Sequence, residues 1–102
     1  MFEFTGVCVN ITHMEEKDVR ILHILSFNNQ TIESYNERIH DTSYGVVIRM
    51  YDFKRHLLAL KRGGVSRLLR RNLIRMYQER GYLIYHFDSD ADHYPDIDSV
   101  EF

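Results

Sequence analysis

The chain has 102 residues, of which 44% are hydrophobic and 27% are charged, and its formal net charge at pH 7 is −2. A chain of this length buries one hydrophobic core, and its composition is typical of neither a disordered nor a fibrous protein. No stretch approaches the ~20 consecutive apolar residues that cross a bilayer, and the N-terminus lacks the pattern of a secretory signal. We therefore expect a single intracellular, cytoplasmic domain over residues 1–102 with no membrane partner.

The first element predicted from the N-terminus is a β-strand over residues 2–11, where apolar and polar residues alternate. Thr12 and Glu15 match a capping box and predict at least one helical turn after that strand. Residues 19–27 fit two interpretations, and their β-branched residues and short length favour a strand. The alternative is a helix with one side formed by Met14, Asp18, Leu22 and Leu25.

The only cysteine of the chain, Cys8, lies within the first predicted strand. A single cysteine cannot form an internal disulfide, and within an apolar pattern a buried, unreactive thiol is the ordinary outcome. This cysteine usage favours a reducing compartment.

The middle of the chain predicts a helix, a strand and a second helix. Residues 31–40 fit a short helix that Thr31 caps, and residues 41–43 fit a turn. Residues 44–53 are the clearest strand, because apolar side chains occupy both of its faces. Residues 54–62 then predict a short helix, which ends at Gly63 and Gly64.

The last third of the chain predicts the best-defined helix. Ser66 is a suitable N-cap for a helix over residues 66–80, in which Leu69, Leu73 and Met76 face inward and which Gly81 ends. Residues 82–87 predict a strand. The acidic segment, residues 88–102, is interpreted as a loop with a short strand at 97–102.

These elements predict an α+β fold. It is one small domain with a mixed or antiparallel sheet of three to five strands, including residues 2–11, 44–53 and 82–87, and with helices mainly on one face. The alternative is a winged-helix-like fold, in which residues 31–40 form the first helix and the acidic loop forms the wing. An acidic wing would repel DNA.

Charge is strongly segregated along the chain. Residues 54–87 carry nine basic side chains and one acid, whereas the acidic segment carries six acids and no base. On a helix, Arg67, Arg71 and Arg75 form one axial stripe, which we call the arginine stripe. Guanidinium groups match phosphate oxygens, so a nucleic acid is the expected anionic partner. The alternative is that these arginines pair with acids of the same chain, of a second copy or of another protein.

The sequence therefore favours a non-enzymatic regulatory or adaptor protein that binds nucleic acid through a basic helix. The predicted contact residues are Lys61, Arg62, Ser66, Arg67, Arg70, Arg71 and Arg75. The runner-up function is a protein–protein interaction module or an inhibitor of a protein partner. Exposed tyrosines, opposed charges and uncovered strand edges favour a homodimer.

A metal site in the acidic segment is the weakest of the candidates. Its candidate ligands are Asp88, Asp90, Asp92 and Asp96. They begin like a calcium loop, but His93 stands where that loop needs glycine, so a solvated turn is expected. A small metal-dependent nuclease is accordingly the second alternative function. No cofactor is expected, and no nucleophile–histidine trio can be assembled from the sequence, which disfavours an enzyme.

Overall fold

The computed structural model describes residues 5–27, 39–42 and 44–102. The elements in chain order are β1 (Gly6–Asn10), a 3₁₀ turn (Ile11–His13), α1 (Glu16–Phe27), β2 (Ile39–Thr42), β3 (Gly45–Arg49), α2 (Phe53–Arg62), α3 (Arg67–Arg80) and β4 (Ile84–Asp88). Within these ranges, the helices are too short or too polar to span a membrane.

The four strands form one mixed sheet in the order β1-β4-β3-β2, where β1 runs parallel to β4 and the other two pairs are antiparallel. The register places Val9 and Val46 on either side of Phe87, and all three are buried. This face of the sheet carries the core that the helices cover. The predicted α+β class is confirmed.

The prediction of a strand at residues 19–27 is wrong, because these residues belong to α1. Leu22 and Leu25 are buried against the core at helical spacing, whereas a strand would have turned them to opposite sides. The capping box is also wrong. Asn10 caps the 3₁₀ turn by accepting a hydrogen bond from the Thr12 amide (3.0 Å), and the Asp18 carboxylate accepts one from the Glu15 amide (2.9 Å).

The predicted turn at residues 41–43 is corrected, since residues 39–42 form β2, which pairs with β3. That strand also removes the basis of the winged-helix alternative, which needs a helix through residue 40. The rest of that helix and residues 2–4 of the first strand lie outside the described residues. The strand predicted over 44–53 stops at Arg49, because α2 begins at Phe53. Residues 97–102 do not form a strand.

The α2 and α3 helices match the prediction closely. Gly64 (φ +97°) and Gly81 (φ +66°) lie in the left-handed region that glycine tolerates, one after each helix. The Ser66 side chain caps α3 by accepting a hydrogen bond from the Leu69 amide (3.2 Å). The inner side of α3 is fully buried, at Leu69, Leu73 and Met76.

The packing of α3 can be tested with one buried and one exposed substitution. Leu73→Ala should lower the free energy of unfolding by about 2–5 kcal/mol, because it removes buried methyl groups and leaves a cavity. Arg71→Glu on the exposed side should lower it by no more than ~0.5 kcal/mol. Urea unfolding followed by circular dichroism measures both, and equal losses would contradict this placement of α3.

Candidate functional site

The start of α3 is fixed by the buried carboxylate of Asp18 on α1, which is fully enclosed. One carboxylate oxygen accepts a hydrogen bond from the Ser66 amide (2.7 Å). The other accepts from the Ser66 hydroxyl (2.5 Å) and from the Glu15 amide (2.9 Å). The Ser66 oxygen in turn accepts from the Leu69 amide. The Asp18 side chain thus connects the N-termini of α1 and α3 through hydrogen bonds.

The role predicted for Ser66 as a phosphate contact is therefore corrected. Its side chain is buried, and both its amide and its hydroxyl donate to Asp18. Neither group is left for a ligand. Ser66 positions the helix that carries the arginines instead of contacting a partner itself.

The outer side of α3 is basic and open to solvent. Arg67, Arg71 and Arg75 are exposed, as are Lys61 and Arg62 at the end of α2. In the part of the chain that the structure describes, no carboxylate lies within ion-pair distance of these five groups. A turn over residues 63–66 joins the two helices. We call these five side chains the basic face.

Arg70 differs from the other predicted contact residues. Its side chain is half-buried, and its Nε donates a hydrogen bond to the carbonyl of Val65 (3.3 Å). It faces Lys54 and Lys61 of α2 instead of continuing the arginine stripe. The structure thus assigns six of the seven predicted contact residues to the surface of α2 and α3, on two adjoining surfaces.

The acidic segment is anchored beside α3 by two buried side chains that the sequence pattern did not single out. The Asn72 side-chain amide donates hydrogen bonds to the carbonyls of His13 and Asp98 (both 2.8 Å), and its oxygen accepts from the Asp98 amide (3.3 Å). The His13 ring bonds to the Asp98 carbonyl through Nδ1 (2.8 Å) and accepts from the Tyr94 amide at Nε2 (2.8 Å). Both partners are backbone groups distant in sequence, so no local pattern indicated them.

Besides its backbone contacts with Asn72, the anchored segment lies beside the C-terminal half of α3. Arg75, Gln78 and Glu79 share a hollow of about 290 Å³ with Pro95, Asp96 and Ile97. Burial and the neighbouring Glu79 carboxylate raise the pKa of Tyr94 to about 12, and Glu79 is the only acid of residues 54–87. Arg67 and Arg71 do not line this hollow, so the acidic segment leaves the first half of the arginine stripe uncovered.

The four aspartates considered as metal ligands do not converge. Across residues 5–27, 39–42 and 44–102, no group of three or more His, Cys, Asp or Glu side chains is placed to hold a metal ion. The Asp88 carboxylate accepts a hydrogen bond from the Asp90 amide (2.8 Å), and the Asp92 carbonyl accepts one from the Asn10 amide (2.9 Å). Asp90, Asp92 and Asp96 are exposed.

The sheet also assembles a thiol, an imidazole and a carboxylate that the sequence did not predict to be together. Cys8 is exposed, opposite His86 in the parallel pair, with its Sγ 3.7 Å from Nδ1. His86 Nε2 is 3.6 Å from an Asp88 oxygen. The buried thiol expected for Cys8 is wrong, because Val9 and Phe87 take the core side and turn their neighbours to the other face. The alternation of side chains along a strand is the local signal that would have placed Cys8 on the outer face.

This cluster does not activate the cysteine. Partial desolvation by its neighbours and, after it, the negative charge of Asp88 raise the pKa of the exposed Cys8 thiol above its ordinary value. The nucleophilic form of cysteine is the thiolate, and a raised pKa disfavours that form.

A family model matches the chain over residues 7–102, and its description reads "Family of unknown function (DUF5983) C-terminal domain". No curated protein and no solved structure matches the chain. The family description names no activity.

The buried His13 predicts a loss of stability in acid. Burial lowers the pKa of His13 in the folded state, so its stabilising effect is complete above the unfolded pKa of ~6.5 and is lost as the pH falls below that value. Protonation also removes the acceptor for the Tyr94 amide. Urea unfolding between about pH 7.5 and 5 should show this loss, at most about 1.4 kcal/mol per pH unit for this single group.

His13→Asn keeps an amide in place of Nδ1 but cannot be protonated, so it should flatten that pH dependence. The exposed His40 is the matched control, and His40→Asn should leave the slope unchanged. An identical slope in the His13→Asn variant would contradict the assignment.

Cys8 should react slowly with iodoacetamide near neutral pH in spite of its exposure, because its thiolate is disfavoured. Asp88→Asn should increase the alkylation rate, since it removes the negative charge that raises the pKa. Asp90→Asn serves as the matched control and should leave the rate unchanged. A wild-type rate above that of a cysteine in an unstructured peptide would overturn this account of the cluster.

Proposed function

We propose that this chain, which belongs to the family described as "Family of unknown function (DUF5983) C-terminal domain", binds the phosphate backbone of a nucleic acid. The contact surface is the basic face of α2 and α3. The chain acts as a non-enzymatic regulator or adaptor. The observation that carries this proposal is the arginine stripe, which is exposed and free of ion pairs among the described residues.

An unneutralised stripe of like charges works against the stability of the helix. Arginines spaced four residues apart repel one another, at roughly 0.2–0.5 kcal/mol for each i,i+4 pair on an exposed helix. The only acid within residues 54–87 is Glu79, whose charge acts on Tyr94 of the acidic segment. A polyanion would relieve this repulsion, because each bound phosphate neutralises one cation.

The shape of the basic face favours a polymer over a small anion. The three arginines extend over roughly 12 Å of helix axis, at 1.5 Å per residue. They lie on an exposed helix side, and none of them lines the groove between α2 and α3. A chain of phosphates can contact such a row at several points, whereas one phosphate group can contact only part of it.

The members of the basic face have different parts in this proposal. Arg67 and Arg71 form its centre, since both are exposed and neither lines the hollow that contains Asp96. Lys61 and Arg62 extend it across the turn to α2, and Arg75 contributes less because Asp96 lies across the neighbouring hollow. The homodimer expected from the sequence stays a prediction; sedimentation at micromolar concentration tests it.

Charge reversal in the basic face is the direct test. Arg71→Glu should weaken binding of a fluorescent ~20-nucleotide strand or duplex about tenfold at low salt. It should also flatten the slope of log K against log salt for the duplex by about 0.9 for each phosphate that the variant no longer neutralises. Fluorescence anisotropy over a salt series measures both quantities.

Lys17→Glu on α1 is the matched control, because Lys17 is exposed and the substitution changes the net charge equally. It should leave binding close to the wild-type value. Equal weakening by both variants, or a wild-type protein that retains neither polymer at low salt, would refute nucleic-acid binding at this face.

A further inference from the structure

An open groove of about 370 Å³ lies along α2 beside Arg70 of α3, apart from the arginine stripe. Its lining consists of Lys54, Leu57, Leu58, Lys61 and Arg70. Three of these five side chains are cationic, two are aliphatic and none is acidic. We call it the α2–α3 groove.

The aliphatic part of the groove consists of Leu57 and Leu58. Leu57 packs partly against the hydrophobic core, which fixes its position, whereas Leu58 beside it is 45% exposed. An exposed leucine within a ring of cations leaves apolar surface in water that a partner could cover. The surface requires an apolar group in its occupant.

The charged part of the groove is arranged around those leucines. Lys54 and Lys61 are exposed on α2, two turns of helix apart. Arg70 approaches from α3, where its hydrogen bond to the Val65 carbonyl orients the guanidinium group. An occupant must therefore carry negative charges on both sides of its apolar group, facing the lysines of α2 and Arg70 of α3.

We propose that the α2–α3 groove docks an acidic amphipathic segment of a partner protein. An aliphatic side chain of that segment covers Leu57 and Leu58, and carboxylates before and after it pair with Lys54, Lys61 and Arg70. Grooves between helices commonly receive amphipathic segments in this way. This site goes beyond nucleic-acid binding and does not depend on it.

A nucleobase fits the groove less well than an aliphatic side chain. Bases bind on aromatic or guanidinium planes and are read by amides and other polar groups. The lining offers no aromatic ring and no side-chain amide, its one guanidinium group, on Arg70, is held by the Val65 carbonyl, and its two leucines match the shape of aliphatic groups. Because Lys61 belongs to both surfaces, an acidic partner segment competes with a polyanion at this end of the basic face.

A peptide of defined sequence tests the groove directly. The probe is a fluorescent helical peptide of ~15 residues with leucines at i and i+4 among glutamates. Two control peptides replace either the leucines by serine or the glutamates by glutamine. Wild-type protein should bind the probe at least about tenfold more tightly than either control peptide.

Leu58→Ser in the protein should weaken binding of the probe by about tenfold, because it removes the exposed apolar contact. It should leave oligonucleotide binding unchanged, so the groove and the basic face fail or succeed separately. Ile24→Ser is the matched control, since Ile24 is another exposed aliphatic residue, 65% exposed on α1. This variant should bind the probe as the wild type does.

Three outcomes would overturn the groove proposal. The first is a probe that binds no better than the serine peptide, which would show attraction by charge alone. The second is equal weakening in Leu58→Ser and Ile24→Ser. The third is a single nucleotide or short oligonucleotide that binds more weakly to Leu58→Ser while the peptide does not. Circular dichroism of each variant confirms that it is folded.

Discussion

The buried carboxylate of Asp18 is the interaction on which the rest of this structure depends. A charged group withdrawn from water is tolerated only when hydrogen bonds replace its hydration, and here three donors from Glu15 and Ser66 do so. The same contacts set α3 against α1 at one end. With Leu69, Leu73 and Met76 committed to the core, the arginines that alternate with them along the helix have only the solvent side to occupy.

A second set of buried polar contacts determines where the opposite charge lies. His13 and Asn72 hold the backbone of the acidic segment through Tyr94 and Asp98, so the position of those acids is set by the fold and not by attraction to the arginines. The segment bonds to Asn72 through its backbone, lines a hollow with the later half of α3 and leaves Arg67 and Arg71 exposed. The domain thereby keeps both charges apart on its surface, an arrangement that favours a charged partner.

The sequence predicted what local chemistry decides. The caps and inner residues of α2 and α3 follow from glycine, serine and leucine spacing, and both helices formed as expected. Long-range contacts decided other parts. Residues 19–27 contain many β-branched residues, but Asp18 binds a serine 48 residues away and Leu22 reaches the core, and these contacts select the helix. Cys8 was a local error, since it alternates with the buried Val9 along β1, whereas His13 is buried because Asp98 and Tyr94 fold over it.

The most direct test of an open basic face is an NMR titration that follows the arginine side chains and the anchored backbone together. As a short oligonucleotide is added at low salt, the Nε–H signals of Arg67 and Arg71 should shift first and furthest. The amides of Tyr94, Asp98 and Val100 should keep their positions and their protection from exchange, because the acidic segment does not have to move. Loss of protection at these three amides, or shifts confined to residues outside α2 and α3, would contradict an account in which the basic face is open and the acidic segment beside it is fixed.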